Sequence, residues 1–322
     1  LKMGATELRY MITASEEPTT MSNLRIEQKP SAEPLNALVG KNLSNYAIEA
    51  VLAKGASGVV FRARDTDNDQ IVALKVLQPE FAAQDDDMQR FIRAMKTVLS
   101  LRHPNLVALY KAGKTSSYCW VAMEFVDGES MSAVIRRMGV AGMLDWRYGY
   151  RVAVHIARAL QYAHSKAIIH RNVTPQNILW RAKDKTALLG DLMLAKALEG
   201  SLAMQITRPG ELLGDVVYMA PERTRGVTEI DGRADLYGLG ATVYALVAGR
   251  PPFAGGALPE IIAKIRTADP DKPKKYQMAS PDLFQGTVLR LLAKRPEERF
   301  QSAADLLVDL DRVGKFAGVS AD

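Results

Sequence analysis

The chain holds one cysteine and four histidines in 322 residues, and it has no basic block and no internal repeat. Each shortage excludes something. A single thiol, Cys119, cannot close an internal disulfide, which fits a reducing compartment. It lies in the apolar run YCWVAMEF and reads as inert core filling. The longest apolar stretch, Leu236 to Val247, follows Asp235 and contains Gly238 and Gly240. It falls short of the ~20 residues a bilayer span needs, so it reads as a buried core helix. Net charge is +6, but lysines and arginines are scattered without interleaved aromatics. That pattern suits a solvated, mildly basic surface and no nucleic-acid partner. The expected location is the cytoplasm, or the cytosolic part of a longer, membrane-linked protein.

The content that is present, 48% hydrophobic and 24% charged, suits a soluble globular protein with room for about two domains. Residues 1–39 lack periodicity and contain EEPTT and KPSAEP, the texture of a flexible tail. From Asn45 the pattern changes. GASGVVFRA, the polar turn DTDNDQ and IVALKVL form an expected hairpin, with Ile71, Ala73, Lys75 and Leu77 on one face and Val72, Leu74 and Val76 on the other.

A helical stretch, DDDMQRFIRAMKTVLSL, leads to two further strand-like runs, LVALYKAG and YCWVAMEF. Beyond Asp127 and Gly128 the spacing turns helical. Ala153, Ile156, Ala157, Leu160 and Ala163 make one apolar stripe, and Leu236, Leu239, Val243, Leu246 and Val247 another, stopped by Gly249 and Pro251. The order is a strand-rich segment followed by a larger helical one.

Eight motifs then fall in order: GASGVV, VALK, HPNLV, HRNVTPQN, GDLM, YMAPE, DGRADLYGLG and RPEERF. Together they resemble the protein kinase signature set, of the serine/threonine type found in bacteria, over about residues 40 to 315. The resemblance implies an α+β, bilobal fold: a small antiparallel β-sheet lobe plus one helix over 40–126, a mainly α-helical lobe over 127–317, and a short end at 318–322. It also assigns roles. Gly55 and Gly58 would let a strand turn lie over a triphosphate. Lys75 would reach the phosphates, and Val60, Ala73 and Leu179 would touch the adenine. Met123 would guard the pocket, with Glu124 to Val126 as the hinge whose backbone reads the base. Asn177 and Asp191 would be the Mg2+ ligands. Glu222 with Arg299 would be a structural ion pair, and Asp235 a brace for the catalytic loop.

The departures concern the chemistry. Asn172 stands where the family has its catalytic aspartate, and an amide cannot accept a proton. Thr174 replaces the lysine that neutralises the moving phosphoryl group. Ala94, nine residues before His103, replaces the helical glutamate that pairs with the strand lysine, so Lys75 is expected to lack its family partner. Ala53, Leu192, Met193 and Asp215 replace glycine, phenylalanine, glycine and threonine.

The expected product is a pseudokinase: a regulatory or scaffolding module with protein partners, on which ATP and Mg2+ bind weakly or not at all. Two other readings stay open. One is a weak serine/threonine kinase with Asp215 as a rescuing base, and the other a switch gated by ATP without hydrolysis. The resemblance implies that Arg171 meets a phosphorylated activation-loop residue, with Ser201 and Thr207 as the candidates; the other reading is a bond to nearby backbone.

Overall fold

A computed structural model describes residues 34–55, 57–79, 95–115, 118–141, 144–192, 216–227, 229–276 and 278–321. The expected tail is thus almost wholly outside the described residues, as are Ala94, Met193, Ser201, Thr207 and Asp215. The chain divides into two compact units, Leu1–Gln89 with Ala112–Val121, and Arg90–Lys111 with Ala122–Asp322.

The first unit is built on a sheet of β1 (Asn42–Leu43), β2 (Tyr46–Gly55), β3 (Gly58–Asp65), β4 (Ile71–Leu77), β5 (Leu109–Thr115) and β6 (Tyr118–Glu124), in the order β1-β2-β3-β4-β6-β5. β5 and β6 cross the division between the units. The expected hairpin is β3 paired antiparallel with β4, in a register that sets Val60 opposite Lys75 and Arg62 opposite Ala73. Its turn is held locally: Asp67 N donates to Asp65 Oδ1 and Gln70 N to Asn68 Oδ1, at 3.0 and 2.9 Å. Such Asx bonds stand in for backbone pairs in a tight turn. Every residue of β4 after Ile71 is buried, so both faces of IVALKVL are covered, as the apolar residues on each face predict.

Gly58 has φ 150°, and a Cβ there would sit 2.1 Å from the Val76 carbonyl oxygen. Only glycine fits, and the reason lies in strand packing. Gly55, in contrast, has open space where its Cβ would be.

The second unit holds a small sheet of β7 (Gly128–Ser130), β8 (Ile178–Arg181) and β9 (Thr186–Leu189) in that order. Its principal helices among the described residues are α1 (Met131–Ala141), α2 (Trp146–Ser165), α3 (Pro221–Thr224), α4 (Gly232–Ala248), α5 (Leu258–Thr267), α6 (Asp282–Leu291) and α7 (Ala303–Ala317). Residues 95–98 are also helical, and the rest of that expected helix lies outside the described residues.

The α2 stripe Ala153, Ile156, Ala157, Leu160 and Ala163 is buried throughout, and Asp145 caps the helix by accepting from Arg147 N. α4 is buried on all sides from Ala234 to Ala248, capped by Asp231 at one end and by Gly249 at φ 72° at the other. No helix among the described residues is long and apolar enough to cross a membrane.

Two cations fasten the helices. The Arg299 guanidinium, with its side chain fully buried, forms two parallel 2.8 Å bonds to the Glu222 carboxylate. Its Nε donates to Ala293 O at 2.8 Å, and its plane lies 5.0 Å from the Tyr237 ring centroid. This is the fork geometry in which a buried arginine is fully satisfied. Lys294 Nζ donates to Ile265 O at 2.9 Å, capping the C-terminus of α5, and lies 3.9 Å from the centre of the Phe253 ring. Burial dominates its titration, lowering its pKa from 10.5 to about 8.

Two outcomes are expected. Glu222→Ala strands a buried guanidinium and should lower unfolding free energy by ~3–5 kcal/mol in urea denaturation. For Lys294 the burial penalty is fully present below about pH 8, where both states are protonated. Between about 8 and 10.5 the unfolded chain keeps a proton the folded chain has released, so this contribution to stability rises with pH. Lys294→Met should remove that rise, read as the change in urea midpoint between pH 7.5 and pH 10 relative to the parent chain.

Candidate functional site

The loop between Ile168 and Leu179 is organised from below by Asp235 in the first turn of α4. One carboxylate oxygen accepts from Arg171 N at 2.6 Å; the other accepts from His170 N at 2.8 Å and meets His164 Nε2 at 2.9 Å. Asp235 is 1% exposed, so these bonds are made in a low-dielectric interior. They hold Arg171 at φ 63°, a conformation unusual for a residue with a side chain. The loop also packs directly on α4: a Cβ at Gly238 would lie 2.6 Å from Val173 O.

His170 is buried, with Nε2 2.8 Å from Gly190 O and Nδ1 3.3 Å from Asn172 N. A ring that donates from one nitrogen and accepts at the other is neutral and fully committed. The other three histidines are engaged too. His103 Nδ1 accepts from Asn105 N at 3.1 Å, His164 is on Asp235, and His155 lies between Ala187 N and Ala321 O at 3.0 and 3.1 Å. None of them replaces a lost base in the loop.

Asn177 Nδ2 donates to the Asn172 carbonyl at 2.9 Å, which leaves the Asn177 carboxamide oxygen as its outward acceptor. Gly190 N donates to Asn177 O at 2.8 Å, so the residue before Asp191 is tied to Asn177. Asp191 itself sits at φ 60°. The backbone segments that carry the two expected metal ligands therefore lie side by side, and both side chains are hard oxygen donors of the kind that suit Mg2+ between phosphates. Leu192 is buried, filling an apolar slot.

Thr174 is 3% exposed, and its hydroxyl has no hydrogen-bond partner among the described residues. A short buried side chain presents no charge where the family has a lysine. A small depression lined by Arg171, Asn172, Thr174, Tyr218 and Arg223 encloses about 10 Å³, room for roughly one water.

The hinge residues also lie in the second unit. Glu124 N donates to Ala108 O at 2.8 Å, and Ala108 N approaches Glu124 Oε2 at 3.3 Å. Arg181, the last residue of β8, reaches Glu124 Oε1 with Nη1 at 2.9 Å. Met123 is buried, and Leu179 pairs with Ser130. In the first unit Lys75 and Ala73 are buried in β4 and Val60 is half-buried in β3. Without the family glutamate at 94, Lys75 is still engaged by an interaction in the folded chain, as a buried ammonium requires.

The roles of His155, His164, Arg181 and Asn105 were missed in sequence. Their partners lie up to 166 positions away and leave no periodic signal.

With this geometry, the comparisons with known proteins agree. A model of the protein kinase domain matches residues 46–309, and the chain belongs to that family. It is 35% identical over 272 residues to the serine/threonine-protein kinase PknJ of Mycobacterium tuberculosis, covering 83% of this chain and 45% of that protein. It is 31% identical over 273 residues to the serine/threonine-protein kinase PknB of Mycobacterium leprae, covering 83% of this chain and 43% of that one. The crystal structure of the Mycobacterium tuberculosis PknI kinase domain superposes with a TM-score of 0.66 at 27% identity, over 85% of this chain and 98% of that one. The fold is thus the protein kinase fold, as the motifs implied. The chain spans less than half the length of these curated relatives.

Asp235→Asn removes one acceptor oxygen from the brace. It should speed hydrogen exchange of the His170 and Arg171 amides about tenfold or more, measured residue by residue by NMR.

Proposed function

We propose that this protein kinase domain is a pseudokinase, a regulatory or scaffolding module that works through protein partners. The observation that carries this reading is a fully braced catalytic loop that presents an amide and a buried hydroxyl in the positions of the base and the cation. His170 cannot substitute, because both ring nitrogens are bonded. Loss of a general base lowers rate by about 10² to 10⁴ and loss of an electrostatic donor by about 10² to 10³. Against a family turnover of about 1 to 100 per second, little remains even when the two losses overlap.

ATP and Mg2+, if bound, would meet Asn177, Asp191 and the hinge backbone of the second unit, and binding is weak. The triphosphate would supply the phosphoryl group in an active relative. Here the chain's own residues bind and orient, and no group in the loop takes the proton. The alternative of a weak serine/threonine kinase rests on Asp215, and Asp215→Asn separates it, since only an enzyme loses activity. The proposed location of the module is the cytoplasm or the cytosolic side of a membrane.

In a phosphoryl-transfer assay on a serine/threonine peptide with ATP and Mg2+, no transfer above background is expected. Turnover at family levels that Lys75→Ala abolishes would overturn the proposal.

A further inference from the structure

The end of α7 turns back onto α2. Gly318, at φ 63°, stops the helix, and its N-H and that of Val319 both donate to Gly314 O, the latter at 3.0 Å. The reversal is tightly packed: a Cβ at Gly314 would clash with the Tyr150 hydroxyl of α2 and lie 2.9 Å from Val319 O. Glycine at 314 is what lets helix, turn and tyrosine approach one another. The chain then delivers Ala321 to a buried position, with its carbonyl 3.1 Å from His155 Nε2.

His155 joins this strap to the small sheet. Its ring is buried, and Nδ1 lies 3.0 Å from Ala187 N in β9. A backbone N-H only donates and a carbonyl only accepts, so the two partners fix the ring as neutral, accepting at Nδ1 and donating from Nε2. One imidazole proton therefore serves both contacts. When Ala321 leaves, a buried N-H loses this acceptor, which is costly. The ring relieves that cost by rotating or by moving the proton to Nδ1, and either change withdraws the acceptor from Ala187 N.

The Ala187 bond is the first of a row along β9. Ala187 O accepts from Asn105 Nδ2 at 3.1 Å, Leu189 N donates to Asn105 O at 2.8 Å, and Val107 N donates to Leu189 O at 3.0 Å. The row ends at Gly190, which is held by Asn177 O and His170 Nε2 and precedes Asp191. β9 is the edge of its sheet, and on its outer side an isolated bridge between Leu106 and Leu189 stands in place of a partner strand. With no full ladder there, each of these bonds carries more of the strand's local order.

We infer that residues 318 to 321 are a strap that governs the order of β9 and of the segment leading into Asp191, with His155 as the positioning residue that links them. Docked, the strap keeps Nδ1 turned to Ala187 N. Released, it loosens the strand from Ala187 to Gly190. An event that captures or pulls the C-terminal segment is thereby read at Asp191 without touching it. The device is the same whether the catalytic loop is inactive or weakly active.

The test is residue-resolved hydrogen exchange by NMR on the whole chain. Ala321→Glu sets a charged side chain in place of a buried methyl and should expel the strap. Exchange at the Ala187, Leu189 and Gly190 amides is expected to rise about three- to tenfold, while that of Leu239 and Val243 in α4 stays as in the parent. His155→Phe keeps an aromatic ring and removes both bonds. It should speed the same β9 amides, and adding Ala321→Glu to it should bring no further rise. Ala321→Gly, which only removes the methyl, is the second variant if Ala321→Glu does not fold, with a smaller rise at the same three amides.

Three results would overturn the inference. One is faster exchange confined to Val319 and the last turn of α7, as a strap that only caps its helix would give. The second is a rise shared equally by the α4 amides, the mark of a general loss of stability. The third is an undiminished effect of Ala321→Glu in the His155→Phe background.

Discussion

One carboxylate holds the functional half of this molecule in place. Asp235, almost fully excluded from water, gathers two successive backbone N-H groups and a histidine ring nitrogen onto its two oxygens. Buried N-H groups without acceptors are costly, and the loop from Ile168 to Leu179 turns too sharply to pair them internally. The carboxylate therefore decides the loop's path, and the path decides where Asn172, Thr174 and Asn177 stand. Around it, Gly238 lets Val173 approach α4, and His170 bridges to Gly190.

The bracing set, Asp235, His170, Glu222 and Arg299, makes short bonds, with Asp235, His170 and Arg299 buried and Glu222 half-buried. Positions 172 and 174 carry asparagine and threonine, where the family has aspartate and lysine. Replacing an aspartate with asparagine at 172 preserves volume and hydrogen bonding, so the fold registers no penalty. Replacing a lysine with threonine at 174 buries a small side chain that needs no counter-charge. The polar framework is insensitive to both changes, because neither group is among its bonds.

Much of the architecture was legible in the residues. The alternation in IVALKVL and the stripe through Ala153, Ile156 and Leu160 predicted β4 and the buried side of α2 from local spacing alone. The apolar stretch after Asp235 marked α4 as a core helix, and the resemblance to the kinase family gave Asp235 its bracing task. What stayed hidden depends on contacts between distant positions. Arg181 and Glu124 are 57 residues apart; Glu124 was expected only through its hinge backbone, and Arg181 reads locally as an ordinary surface charge. Lys75 was expected to lack its family glutamate, and the folded chain engages it nonetheless. The exchange at Asp215 and Ala94 lies outside the described residues, and the sequence remains the only account of it.

Gly58 carries a wider consequence. Its missing side chain makes way for the Val76 carbonyl of the neighbouring strand, so its replacement would first disturb the sheet and only then any ligand. A glycine required by sheet packing is constrained whether or not nucleotide binds. Among the two glycines of GASG, Gly55, which faces open space, is the one free to drift once phosphate no longer has to be accommodated. Its fate across related chains would record when a lineage stopped handling triphosphate, whereas that of Gly58 would record only that the sheet endured.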